Sequence, residues 1–233
     1  MKFHVLSLCL GFVIGVAVIF VAFFAFGSEL NNFFSNSSTN TQTVENVKPQ
    51  MSLFTDNASP FLGSSDASIT MIEFGDYQCF YCNKFFHSTE PDIVKNYIDT
   101  GKVKLVFKDL TIIGQDSVNA ANAAHCAQEK GKFWQYHDLL YNNWAGENTG
   151  WAAPSNLLAF AKQVGINATD FNACMSDARY LSVIKGSLSD AQTLGLSGTP
   201  DFFIIGPDGS VSKVIGAQPY EIFDEIFKAK LKV

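Results

Sequence analysis

Cys79 and Cys82, separated by two residues in the stretch EFGDYQCFYCNKFF (73–86), are the part of this 233-residue chain best equipped for chemistry. Such a pair serves as a redox couple, as half of a zinc site, or as a structural staple. A closed zinc site needs four ligands, usually from a second Cys-x-x-Cys or a histidine pair. The available partners, His87, His125, Cys126, His137 and Cys174, form no second short-spaced couple, so no metal is expected. A bridge across two residues closes almost no chain and removes little unfolded-state entropy, which argues against a staple. The redox reading is favoured, and its mechanism depends on what lies on either side of the pair.

The sequence ASITMIEF (67–74) alternates and is rich in β-formers, which predicts a strand. From Cys79 to about Ile98 the spacing of Phe80, Phe85, Phe86, Ile93 and Tyr97 predicts a helix, with Pro91 marking a kink or break. KVKLVFKDL (102–110) alternates again, so the unit is β-α-β with parallel strands. Both thiols then fall in the first helical turn, on one face, where their sulfurs can bond. Unpaired backbone N–H groups and the helix dipole favour an anion at that end, hence a Cys79 thiolate. An ordinary thiol, with a pKa of about 8.5, is only about 3% ionised at pH 7. Each unit of lowering stabilises the reduced form by about 1.4 kcal/mol, or about 30 mV for a two-electron couple.

Helical patterns follow. DSVNAANAAHCAQEKGKFWQYHDLLYNNW predicts an Ala-rich helix and an aromatic helix parted at Gly131, and residues 153–195 supply at least two more. After LSGTP the strand pattern returns: 201–205 and 211–215 flank the turn Pro207-Asp208-Gly209, and a last helix runs from about Pro219 to Lys230. The order β-α-β, helical block, β-β-α resembles the α/β thioredoxin fold with a helical insertion at about 113–195. EFGDYQCFYC, GKFWQYHDLLY and GTPDFFIIG, in that order, resemble the DsbA-like thiol-disulfide oxidoreductases of the thioredoxin superfamily, over about residues 66–233.

That resemblance implies Cys79 as the exposed attacking cysteine, Cys82 as the buried resolving one, and Phe80 and Tyr81 as the dipeptide that tunes the potential. It implies that Pro200 is a cis proline packed against the disulfide, leaving the Thr199 backbone free to pair with an extended substrate. Glu73 matches a buried acid beneath the site, able to relay the resolving thiol's proton; the plain alternative is a strand residue facing solvent. Lys108, in the adjacent strand, is a candidate partner for Glu73. No cofactor is implied. The implied partners are exported proteins with reduced cysteines and a quinone-linked membrane oxidant.

The rest of the chain bounds these readings. Lys and Arg total 16 against 22 Asp and Glu, for a net charge of −6, and no basic stripe suggests nucleic acid. Val5 to Phe26 carries no charge, and as a helix reaches about 33 Å, enough to cross a bilayer. Lys2 precedes it and the next basic residue is Lys48, so residues 1–27 read as a signal anchor with the remainder exported. A cleaved signal peptide ending near Ala25-Phe26-Gly27, which leaves the domain secreted, is the competing reading. Residues 28–65 are rich in Asn, Ser and Thr and read as a flexible linker.

In an exported protein Cys126 and Cys174, on different helices, are expected to form a structural disulfide, with buried free thiols as the alternative. The cluster Phe133, Trp134, Tyr136, Leu139, Leu140 and Tyr141 reads as core, and His125 and His137 as structural. The expectation is a monomeric, membrane-anchored, extracytoplasmic dithiol oxidase. A reductase or isomerase with the same site, or a non-catalytic peptide-binding module using the Thr199-Pro200 groove, are the alternatives.

Overall fold

Strands β1 (Ile69–Gly75), β2 (Val103–Asp109), β3 (Asp201–Ile205) and β4 (Val211–Ile215) form one sheet in the order β2-β1-β3-β4. They belong to a computed structural model that describes residues 50–232; the expected membrane segment and the linker up to residue 49 lie outside the described residues. β1 and β2 run parallel, β3 is antiparallel to β1, and β4 is antiparallel to β3. Side chains alternate across the pleat, so Ile69, Met71 and Glu73 share one face of β1 while Ile72 and Phe74 share the other.

Both faces are covered, which is why β1 is buried almost throughout. On the first face, helices α2 (Phe80–Ser88), α3 (Glu90–Ile93) and α9 (Tyr220–Lys230) bring Phe85, Ile93, Phe223 and Phe227 onto Met71, Leu105 and Phe202. Pro91 stands in the first turn of α3, where its missing N–H costs nothing, and the helix restarts there after Thr89. A π-helical turn, Val94–Ile98, then leads into β2. On the second face, α1 (Ser52–Thr55) and α8 (Leu181–Thr193) cover Ile72, Phe74, Phe203 and Ile205.

The helical insertion comprises α4 (Gln115–Gln128), α5 (Phe133–Asn142), α6 (Pro154–Gln163), α7 (Ala168–Ser176) and α8, between β2 and β3. Buried alanines at 120, 123, 124 and 127 let α4 approach the aromatic face of α5 closely. Gly131, with φ 65°, takes the left-handed conformation that ends α4, and Lys132 N–H returns to the Ala127 carbonyl. Cys126 and Cys174 are bonded, tying α4 to α7.

The expected linker over 28–65 needs correction at its C-terminal end. Residues 50–65 contain α1, Ser59 N–H donates to the Phe107 carbonyl, and Leu62 bridges to Leu105 at the β2 edge. Phe54, fully buried, lies 4.9 Å from the ring of Phe203. Polar composition concealed this, because one buried aromatic and one backbone bridge suffice to dock a polar segment. Phe54→Ala should therefore lower folding stability by about 3 kcal/mol in urea titration; a change near zero would return the segment to the linker.

Candidate active site

The chain leaves β1 at Gly75, whose backbone passes so close to Phe107 that a Cβ would stand 2.5 Å from its ring. Asp76, buried, then gathers the turn. Its Oδ1 accepts Gln78 N–H at 2.9 Å, and its Oδ2 accepts Ile112 and Ile113 N–H at 3.0 and 3.2 Å. The Asp76 carbonyl accepts Cys79 N–H at 2.9 Å, which fixes where α2 begins. A second clamp comes from the loop after α5. Trp144 Nε1 donates to the Gln78 carbonyl at 2.7 Å, and the Glu147 carboxylate accepts Phe80 N–H at 3.1 Å.

Cys79 is not in the first helical turn but one step ahead of it. It is the N-cap of α2, in an extended conformation, and its Sγ accepts the Cys82 N–H at 3.3 Å. A sulfur in this position receives a donor that the helix itself cannot satisfy. The Thr199 carbonyl lies 3.4 Å from the same sulfur, in hydrogen-bonding reach of its thiol proton. The Thr199-Pro200 peptide is cis. The resemblance implied an exposed Cys79; it is only 5% exposed, because this loop covers it.

The two thiols are driven in opposite directions. Hydrogen bonding to Cys82, against the cost of burial, and contact with Thr199 bring Cys79 down to about 6. Burial pushes Cys82, which has no exposed surface, well above the ordinary thiol value, and the neighbouring Cys79 and Glu73 push it the same way. Glu73 is 1% exposed, and burial raises its carboxyl well above the usual range. Its register partners, Phe107 in β2 and Phe202 in β3, flank it with aromatic rings.

Lys108 does not pair with Glu73. In the parallel register it stands opposite Phe74, one residue out of phase, and so points through the other face of the sheet. There it bonds the Asp190 carboxylate of α8 at 2.8 Å and the Asp56 carbonyl.

Around the pair, Phe80 and Tyr81 are large apolar side chains left in solvent, 50% and 58% exposed. Beyond Thr199 and Pro200 a cleft of about 270 Å³ opens towards Lys213 and Ile215 on the edge strand β4. The structure thus gathers Cys79, Cys82, Phe80, Tyr81, Thr199, Pro200 and Glu73 at one end of β1, with Cys126–Cys174 apart in the helical insertion. His125 bonds the Asp109 carboxylate at 2.7 Å, and His137 bonds the Tyr77 hydroxyl at 3.0 Å within the aromatic core. Asp76 was legible in the sequence as an Asp two residues before Gln78, an Asx-turn pattern ahead of a helix, yet it was passed over. Trp144 and Glu147 carry no such signal, since their partners lie far away in sequence.

A cysteine pair split in this way, at the head of a helix that follows the central strand of a thioredoxin-type sheet, defines a thiol-disulfide oxidoreductase. A thioredoxin family model matches residues 55–228, and the chain belongs to that family. It is 28% identical over 158 residues to a probable disulfide bond formation protein D of Bacillus cereus, covering 66% of this chain and 73% of that protein. The oxidised BdbD of Bacillus subtilis superposes with a TM-score of 0.69 at 26% identity, over 79% of this chain and 96% of the other. Wolbachia pipientis alpha-DsbA1 gives 0.65 at 25% identity, over 73% and 89%.

Asp76→Ala strips the acceptor from three backbone donors at the start of the site. It should cost about 3 kcal/mol in chemical denaturation, and a loss below about 0.5 kcal/mol would mean that the clamp is dispensable.

Proposed function

We propose that the protein is an extracytoplasmic dithiol oxidase that introduces disulfides into exported proteins. The opposite displacement of the two thiols carries this reading. With Cys79 brought from an ordinary value of about 8.5 to about 6, the reduced state at pH 7 gains about 1.4 kcal/mol, or about 30 mV towards a stronger oxidant. The sign is that of a lowered acid: the gain is full above the ordinary thiol pKa and disappears as pH falls through about 6.

In the reaction a substrate thiolate attacks Cys79 Sγ of the Cys79–Cys82 disulfide. The S–S bond breaks, Cys82 leaves with the electron pair and takes up a proton, and the substrate is held as a mixed disulfide on Cys79. A second substrate thiolate then attacks the substrate sulfur of that bond and expels Cys79 as the favoured thiolate. The substrate loses two electrons to the cysteine pair. Glu73 is the group that supplies the proton to Cys82, while Phe80, Tyr81 and the Thr199 backbone meet the substrate chain beside the cleft. The uncharged run from Val5 to Phe26 supports tethering at a membrane, where a quinone-linked oxidant would restore the disulfide.

The Cys79/Cys82 reduction potential, equilibrated against glutathione, tests the direction of electron flow. The oxidase reading expects about −180 mV or above, and a value near thioredoxin's, about −270 mV, would sink it.

A further inference from the structure

Glu90 is a buried acid that the reaction above leaves unused. It opens α3, is 5% exposed, and its Oε2 finds no hydrogen-bond partner among the described residues. The Oε2 of Glu73 is in the same condition. Leaving a buried carboxyl oxygen unpaired is costly, so two on elements packed against one sheet face call for a reason.

The elements that carry these acids pack together. Phe85 of α2 rests on Phe202, the register partner of Glu73, with ring centroids 4.5 Å apart. The next residue, Phe86, stacks on Tyr141 of α5 at 5.1 Å. Glu90 opens α3, which packs through Ile93 on Met71 and so covers the sheet face that carries Glu73, while Asp138 lies one turn before Tyr141 on α5. Asp138 is exposed, whereas Glu73 and Glu90 are enclosed. The titratable groups whose charges act on or feel Glu90 are Glu73 from β1, Asp138 from α5 and the Tyr77 phenol from the turn after β1.

We propose that Glu90 is a positioning residue that reloads Glu73 with the proton passed to Cys82, and that Asp138 connects this pair of acids to solvent. The proposal rests on the oxidoreductase reading, not on its direction. When the disulfide opens, Cys82 leaves as a thiolate and takes the proton of Glu73, whose carboxylate is refilled from Glu90, directly or over one water. Glu90 is refilled in turn through Asp138. When the disulfide re-forms, the same proton runs outward. Both acids are supplied with protons at neutral pH: burial and then Asp138 raise Glu90 to about 8, while burial, then Glu90 and then Cys79, raise Glu73.

Stopped-flow fluorescence of the oxidised protein mixed with dithiothreitol tests this, with rates referred to the dithiothreitol thiolate concentration. Wild-type protein should open its disulfide more slowly above a bend near pH 8, where Glu90 empties. Glu90→Gln should be about 10-fold slower below that pH and show no bend, and Glu90→Asp should keep the bend. The reduction potential of Glu90→Gln should equal that of the wild type.

Stability gives an independent readout. A carboxyl whose folded pKa is raised opposes folding as pH climbs from its unfolded value to its folded one. Glu90→Gln should therefore raise the unfolding midpoint at pH 7 and lose that advantage in acid. Wild-type rates with the bend intact in Glu90→Gln would overturn the proposal. So would a slowing accompanied by loss of stability, or one that Glu90→Asp fails to relieve. A low reduction potential would overturn the oxidase direction alone and leave these rates to be read as they stand.

Discussion

The hydrogen bond from the Cys82 N–H to the Cys79 sulfur is the contact on which the rest of the site depends. A helix offers its first-turn N–H groups without internal partners, and here a thiol takes the capping place usually held by a serine or aspartate oxygen. As a thiolate, that sulfur is both an acceptor and an anion at the positive end of the helix dipole. The surrounding structure aligns the sulfur with the donor. β1 sets the direction, Asp76 fixes the turn, and the Trp144 and Glu147 side chains hold the loop against α2.

Enclosure produces the asymmetry between the two cysteines. One residue at the cap and one a turn deeper experience the same backbone but different surroundings. Cys79 gains donors that favour its charge, whereas Cys82 is sealed among α2, α5 and the sheet. Sealing a thiol creates a proton problem, because a buried thiolate formed during exchange has no water at hand. The covered sheet face that buries Cys82 also buries Glu73, the acid proposed to supply its proton. Glu90 opens α3 at the break that Pro91 tolerates, and Asp138 lies within α5.

Much of this was legible in the residues. Strand alternation gave β1 and β2, Pro91 gave the break after α2, and the Pro207-Asp208-Gly209 turn gave the hairpin of β3 and β4. Those signals are local, with periods of two or 3.6 residues. What was misread depended on tertiary partners. Phe54 sits in a polar stretch, and its burial follows from a pocket that α8 and β3 build far downstream. Lys108 was a candidate partner for Glu73 from strand adjacency alone, although a one-residue phase difference sends the two through opposite faces of the sheet. Cys79 was expected in the first turn and is the cap, a difference of one position that strengthens the stabilisation of its thiolate. Glu90 gave no sign of burial, because a Thr-Glu-Pro sequence reads as an ordinary helix start.

A pH titration of the reduced protein, followed by ultraviolet thiolate absorbance with Cys79→Ser as the blank, reads the split between the two thiols. A single ionisation near pH 6 that belongs to Cys79 is expected, with Cys82 still protonated well above the ordinary thiol range. An ionisation of Cys79 near the ordinary thiol value of about 8.5 would contradict it.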